Sequence, residues 1–189
     1  MMRIITGKAR GVKLMSPEGE DTRPTSEPAK EGLFSSIQFD LFGRRVLDLF
    51  GGTGQLALEA LSRGAESAVI VDASRNAAAV IRENAQRTKL FPQCRILTAD
   101  WREALKMLRG RGPSSGNTFG LVFLDPPYTP GILDDVLSEL TGSGLLGEDP
   151  ILVCESGADG IPRTPEGFQG KQYKYGRIHI SIFRKEEAE

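Results

Sequence analysis

A chain of 189 residues and 20.6 kDa is the size of one domain with a small appendage, and 39% hydrophobic with 26% charged residues excludes a disordered or fibrous polymer. The net charge of −1 conceals a pattern: residues 1–15 carry +4 from Arg3, Lys8, Arg10 and Lys13, residues 163–185 carry +5, and the remainder sums to −10. Two basic ends that a fold can bring together form the electrostatic footprint of a polyanion binder, where an isolated patch reads as a solvated face.

In chain order, the first fifteen residues are rich in aliphatic positions broken by Gly7 and Gly11, which predicts a short hairpin. The polar stretch PEGEDTRPTSEP reads as a loop. A helix is expected from Glu27, with Pro28 in its first turn, Leu33, Phe34, Ile37 and Leu41 on one stripe, and Gly43 closing it. Short apolar runs then alternate with helical patterns. The runs are Val46–Phe50, Ser67–Val71, Cys94–Leu97, Phe119–Leu124 and Ile151–Cys154. The helices carry Leu56, Leu58 and Leu61, then run from a Ser74 cap to Lys89, from Arg102 to Leu108 and from Gly131 to Leu140. The loop RGRGPSSGNT precedes the fourth run. Such alternation is the signature of parallel β-α units whose sheet is buried on both faces. The last twenty residues, where Ile178, Ile180 and Ile182 alternate with more polar positions, predict one or two antiparallel strands. No run reaches the ~18 apolar residues of a membrane helix, and the first residues lack a signal peptide's apolar stretch. Cys94 and Cys154, sixty residues apart without C-x-x-C spacing, read as packed thiols of a reducing cytosol. A single histidine, His179, argues against metal or triad chemistry. The expected setting is cytoplasmic, with no membrane and no metal.

Asp48-Leu49-Phe50-Gly51-Gly52-Thr53-Gly54 joins the first strand to its helix. Glycines there let the backbone approach a ligand, and the helix N-terminus offers unpaired amides. Gly52-x-Gly54-x-x-Ala57 also satisfies the dinucleotide pattern. Asp48 separates the two readings, because a carboxylate repels a pyrophosphate and attracts a cation. S-adenosylmethionine carries an ammonium and a sulfonium and no phosphate, so it suits this loop. Asp48, Asp72 and Asp100 recur at intervals of 24 and 28 residues, each expected at a strand's carboxyl end, and those ends line one crevice in a doubly wound sheet. Asp72, with Ala73 beside it, is placed for the ribose hydroxyls. Asp100 is placed for the adenine amine, and Trp101 either covers the adenine or packs. Each acid taken singly could instead cap the following helix.

The fourth strand ends in Asp125-Pro126-Pro127-Tyr128. Consecutive prolines lock φ near −65° and hold the preceding residues extended, so the Asp125 carboxylate and the Pro126 carbonyl form two rigid acceptors. An NH2 group on an aromatic base has two donors to match. Held off the ring plane, its lone pair localises and turns toward a methyl donor, and the product proton passes to Asp125 or to water. Tyr128 offers a ring on which a flipped base can stack.

The sequence resembles class I S-adenosylmethionine-dependent methyltransferases with a D/N-P-P-Y/F/W motif, and within them the RsmD-type 16S rRNA guanine-N2 methyltransferases. The resemblance covers almost the whole chain. It rests on Arg3-Ile4-Ile5-Thr6-Gly7-Lys8, Arg23-Pro24-Thr25, Leu58-Glu59-Ala60-Leu61-Ser62-Arg63-Gly64-Ala65, Asn84, Phe123-Leu124-Asp125-Pro126-Pro127-Tyr128 and Tyr175-Gly176. It implies a Rossmann-like, mostly parallel seven-stranded sheet with helices on both faces, an antiparallel C-terminal strand and an RNA-contacting N-terminal extension over residues 1–26 before a methyltransferase domain over 27–189. It also implies a 16S rRNA partner, in the small subunit or an assembly intermediate, for a monomeric enzyme. Asp48, Phe50, Gly51, Gly52, Thr53, Gly54, Asp72, Ala73, Asp100 and Trp101 would line the cofactor site. Asp125 through Tyr128 would hold the guanine, and Arg3, Lys8, Arg10, Lys13 and Arg23 would contact phosphates. Departures from the family pattern include Gly51 and Thr53 in the loop, Asp72 where a glutamate is usual, and Ser26-Glu27-Pro28-Ala29-Lys30-Glu31 where a more basic segment is common. The same acceptor geometry would serve a DNA adenine or a glutamine amide, although the chain has little room for a DNA target-recognition domain. A non-catalytic assembly factor is disfavoured by the intact motif, and a dehydrogenase by Asp48.

Overall fold

A computed structural model describes residues 2–17, 26–109 and 118–186; Arg23 and nearly all of the glycine-rich loop before the fourth run lie outside them. Helix α1 spans Glu27–Ile37, β1 Arg45–Asp48, α2 Gln55–Ser62, β2 Ser67–Asp72, α3 Arg75–Arg87 and β3 Cys94–Thr98. These are followed by α4 Trp101–Arg109, β4 Phe119–Leu124, α5 Ile132–Thr141, β5 Leu146–Ser156, β6 Phe168–Tyr175 and β7 Ile178–Lys185. The strands form one seven-stranded sheet in the order β3-β2-β1-β4-β5-β7-β6. The first five in that order are parallel, and β7 and β6 are antiparallel additions. The C-terminal segment therefore supplies two antiparallel strands, joined by the two residues Gly176 and Arg177, with Gly176 at φ +62°.

Apolar side chains cover both faces. On one, Leu33, Phe34, Leu58 and Ile81 of the first three helices pack on Val46, Ile70, Phe123 and Val153. On the other, Leu105, Leu108, Val136 and Leu140 of α4 and α5 pack on Leu47, Val71, Val122 and Leu152. Burial on both sides is why these strands are nearly continuous apolar runs rather than alternating ones.

Two elements depart from expectation. Helix α1 ends at Ile37 and passes into a single 3-10 turn over Gln38–Asp40, where Arg184 donates to the Asp40 carboxylate at 2.8 Å. Strand β5 begins five residues before the expected Ile151. Gly147-Glu148-Asp149-Pro150 looks like a turn, yet the Phe119 amide donates to the Leu145 carbonyl at 2.7 Å and a register shift between Phe119 and Leu121 absorbs the irregular stretch.

The N-terminal segment is a small hairpin with one bridge, Arg3 to Lys13. It lies along α2. The amides of Ile5 and Thr6 donate to the Glu59 carboxylate at 2.8 and 3.0 Å, and those of Lys8 and Ala9 to the Ser62 carbonyl and hydroxyl, both at 2.9 Å. The chain approaches so closely that a Cβ on Gly7 would stand 1.9 Å from the Ser62 carbonyl oxygen. Beneath it, the Lys30 ammonium donates to the Arg3 carbonyl and stands 3.7 Å from Glu59, which also receives Arg63 at 2.8 Å. Lys30 and Glu59 are fully buried, and burial lowers the Lys30 pKa while Glu59 opposes that shift. Glu59→Ala would leave a buried ammonium without its counter-ion and two amides unpaired. It is expected to cost about 3–5 kcal/mol, read as a drop in the denaturation midpoint. An unchanged midpoint would show that the hairpin is held by its apolar contacts alone.

Candidate active site

The strand order reverses between β1 and β4, where an open α/β sheet leaves a crevice at the carboxyl ends of its strands. Asp48 ends β1, Asp72 ends β2, Asp125 follows β4 directly and Asp100 stands two residues beyond β3. The glycine loop is folded over this crevice by its backbone. The Gly51 amide donates to the Val71 carbonyl at 2.7 Å, and the Gly54 amide to the Gly51 carbonyl at 2.6 Å. Gly52, at φ +56°, donates its amide to Asp72 at 2.8 Å. A Cβ on Gly51 would fall 2.6 Å from Ile70, so only glycine lets the loop lie this close to β2. Helix α2 starts immediately afterwards, presenting its N-terminus to the crevice.

A cavity of about 770 Å³ fills the crevice. Asp48, Phe50, Gly51, Gly52, Thr53, Asp72, Ala73, Asp100, Trp101 and Asp125 through Tyr128 all line it. Gly54 does not: it sits behind the loop at φ +78°, against Ile81 and Leu58. The acids differ in setting. Asp72 accepts from Gly52 and, through its other oxygen, from the Ser74 amide at 2.8 Å, so it ties the loop to β2. Asp100 accepts from the Arg102 amide at 2.8 Å and thereby caps α4, the role open to any single acid at such a position. Trp101 is buried against the core of the α4 face, with the Arg102 guanidinium 4.2 Å from its ring centroid.

Asp48 is 2% exposed and receives the Phe50 amide at 3.3 Å. Burial pushes its carboxyl up to about 7, opposed by the Phe50 and Ala57 amides and aided by the Asp72 charge. Asp125 is held well above the usual carboxylate range, first by burial and then by the charges of Glu155 and Asp48. Glu155 is a site residue that the sequence reading misses. It stands near the end of β5, one step past the paired Leu124 and Cys154, as Asp125 stands one step past them after β4. An acid near a strand's carboxyl end is the signal already seen at Asp48 and Asp72, but the fifth apolar run stops at Cys154, one residue short of it.

A second cavity of about 210 Å³ adjoins the first. Pro126, Pro127, Tyr128 and Ile132 line both, and Glu155, Ser156 and the residues after them close the far side. The Tyr128 ring is 63% exposed and lies near Gly157, where an added Cβ would meet it at 3.8 Å.

The hairpin cations lie outside the crevice. Met2 meets Thr53 at the loop end of α2, while Lys8 and Ala9 meet Ser62 at its far end. Arg3, Lys8, Arg10 and Lys13 thus form an exposed ridge leading away from the cavity. Arg3 pairs with Glu27, and Lys8 donates to Gln93 at 2.6 Å. At the other end of the hairpin, the Asn84 amide bonds both the backbone of Met15 and the Thr53 carbonyl of the glycine loop, and Pro17 reaches the cavity wall. Among the described residues no helix is long and apolar enough to cross a membrane.

The family model described as Conserved hypothetical protein 95 matches residues 2–184. YlbH of Bacillus subtilis, designated an rRNA methyltransferase, is 32% identical over 97% of this chain and 99% of its own length. The ribosomal RNA small subunit methyltransferase D of Escherichia coli is 29% identical over 98% of this chain and 90% of its own. The solved structure of the methyltransferase YhhF from Escherichia coli superposes with a TM-score of 0.83 at 29% identity, covering 98% of each chain. A glycine loop closed over a buried carboxylate, at the switch point of a sheet shared end to end with these proteins, makes the chain a member of the RsmD family of class I, S-adenosylmethionine-dependent methyltransferases.

Proposed function

We propose that the chain methylates the exocyclic N2 amine of a guanine in 16S rRNA, in the small ribosomal subunit or an assembly intermediate, acting as a cytoplasmic monomer. The observation that carries this reading is the continuity of the two cavities through Pro126-Pro127-Tyr128, with Asp125 on the crevice side of that turn, which sets a base-sized space against the cofactor crevice. Relatives named for small-subunit rRNA methylation support the RNA class.

The crevice suits its cofactor. Asp48 is a buried carboxylate with a raised pKa that no Lys or Arg among the described residues pairs with, and such a group is stabilised by an incoming cation. Asp72 uses one bond per oxygen internally and keeps lone pairs for ribose hydroxyls. Asp100, Ala73 and Trp101 bound the adenine end, and Phe50 to Thr53 supply the close-approaching backbone. When bound, S-adenosylmethionine supplies an electrophilic methyl on a sulfonium. The remaining work falls to the chain. Asp125 and the Pro126 carbonyl accept the two amine hydrogens and turn the nitrogen lone pair out of the ring plane. Pro127 fixes the direction of that carbonyl, and Tyr128 stacks on the base. Asp125, made more basic by its surroundings, is suited to receive the proton released as the new N–C bond forms.

Incubation with labelled cofactor and, separately, naked rRNA, small subunits, duplex DNA and protein tests the substrate. Label is expected in the RNA or the subunit, with N2-methylguanosine after nucleoside digestion. Label confined to duplex DNA or to protein would overturn the reading. Residues 1–26 act in this proposal as the RNA-contacting extension of a methyltransferase domain over 27–189, with Arg23 adding to the hairpin cations. Replacing Lys8, Arg10 and Lys13 together by alanine is expected to weaken RNA binding and to lower the slope of log affinity against log salt by about 2–3. An unchanged slope would put the phosphate footprint elsewhere.

A further inference from the structure

We propose that Glu155 selects guanine, by accepting the N1–H of the target base next to the acceptor pair that holds its amine. This rests on the guanine-N2 reading above and names the residue that enforces it. The placement comes from the sheet. Parallel pairing of Leu124 with Cys154, on strands roughly 4.8 Å apart, leaves Asp125 and Glu155 each one step past the last paired position, Asp125 in the wall of the larger cavity and Glu155 in that of the smaller. Glu155 is 4% exposed and lines the smaller cavity together with Pro127 and Tyr128. A carboxylate buried in the wall of a cavity that an exposed tyrosine also lines is placed to read the edge of whatever base enters.

The edge that fits is that of guanine. Its N2 amine and N1–H are adjacent donors, and O6 follows as an acceptor. Asp125 with Pro126, then Glu155, offer acceptors in the matching order. Adenine and cytosine present a lone pair where guanine has N1–H, so a carboxylate there repels them. Pairing that satisfies one base and leaves a buried charge opposed to another is the arrangement that discriminates most strongly.

The test uses the full chain and a synthetic small-subunit RNA carrying, at the position found to be methylated, either guanine or 2-aminopurine. Both bases have the amine at C2, and only guanine has a proton on N1. Wild type is expected to favour guanine by at least about 100-fold in kcat/KM. Glu155→Gln, whose amide can present either a carbonyl or an NH2, is expected to bring the two within about tenfold while cofactor affinity stays unchanged. A wild-type enzyme that methylates both RNAs equally overturns the assignment without reference to any variant. So does a Glu155→Gln enzyme that is slower but keeps the wild-type ratio. A wild-type enzyme that leaves guanine N2 unmodified in every RNA and subunit overturns the underlying reading instead, and this proposal with it.

Discussion

Asp125→Ala is expected to lower kcat for methyl transfer by about 10²–10³-fold while the cofactor dissociation constant moves less than about threefold. The magnitude is that of deleting one preorganised electrostatic partner of a reacting group, because the alanine enzyme keeps the Pro126 carbonyl and loses the acceptor that turns the amine. Asp125→Asn keeps a carbonyl oxygen at the same place and should retain more activity, but it cannot take up the proton. The pH dependence separates the roles. Burial and the Glu155 and Asp48 charges raise the Asp125 pKa, so the acceptor is neutralised as pH falls, and wild-type kcat/KM should rise with pH through that elevated value. The Asn variant should lack this limb. Single-turnover transfer and equilibrium binding of the cofactor measure the two effects separately. Parallel loss of both in Asp125→Ala would assign the residue to the cofactor crevice.

Asp48→Asn should produce opposite effects on stability and on binding. The carboxyl titrates at about 7 in the folded chain against 3.8 for an ordinary, solvated aspartate, so the folded state holds a proton that the unfolded state has lost across that interval. Stability from this group is complete below about pH 4 and is lost as pH rises through 7. The ligand-free Asn variant should therefore be more stable than wild type at pH 8, by up to about 4 kcal/mol. It should also bind S-adenosylmethionine about 100-fold more weakly, having lost the charge that meets the cation. Wild-type affinity should fall by about tenfold for each pH unit below 7, with proton release on binding at neutral pH. Denaturation at pH 8 and titration calorimetry in buffers of different ionisation enthalpy measure both. A variant that is no more stable and binds normally would remove Asp48 from the cofactor site. Function that costs stability at one buried group is a familiar trade.

The alternation of strands and helices is legible because a sheet buried on both faces writes itself as short apolar runs, and Val46–Phe50, Ser67–Val71 and Phe119–Leu124 are such runs. The acids at the strand ends are legible for the same reason, since the runs mark where each strand stops. What the acids do locally is not. Asp100 bonds the Arg102 amide and Asp72 bonds two amides, and those partners follow from loop geometry that no spacing reveals. Glu155 is hidden because the two-residue extension of β5 depends on pairing with β7, not on its own composition. The early start of β5 is hidden by Gly147 and Pro150, which break a strand locally but are held here by pairing to Phe119. Nothing between Ile5 and Ala9 announces that this segment lies along α2. That contact is written in Glu59, Ser62 and Lys30, polar residues inside otherwise ordinary helices.

The hairpin laid along α2 behaves as a gauge. It is anchored through Asn84 to the glycine loop at one end and through Ser62 to the helix terminus at the other, so its tip cations stand off from the crevice by about 12 Å, the length of eight helical residues. On the proposed function, an RNA strand held by its phosphates at that offset would deliver one particular nucleotide to the Asp125 turn, whatever bases flank it. Choice of position would then come from shape and reach along the RNA, and choice of base from the wall proposed at Glu155.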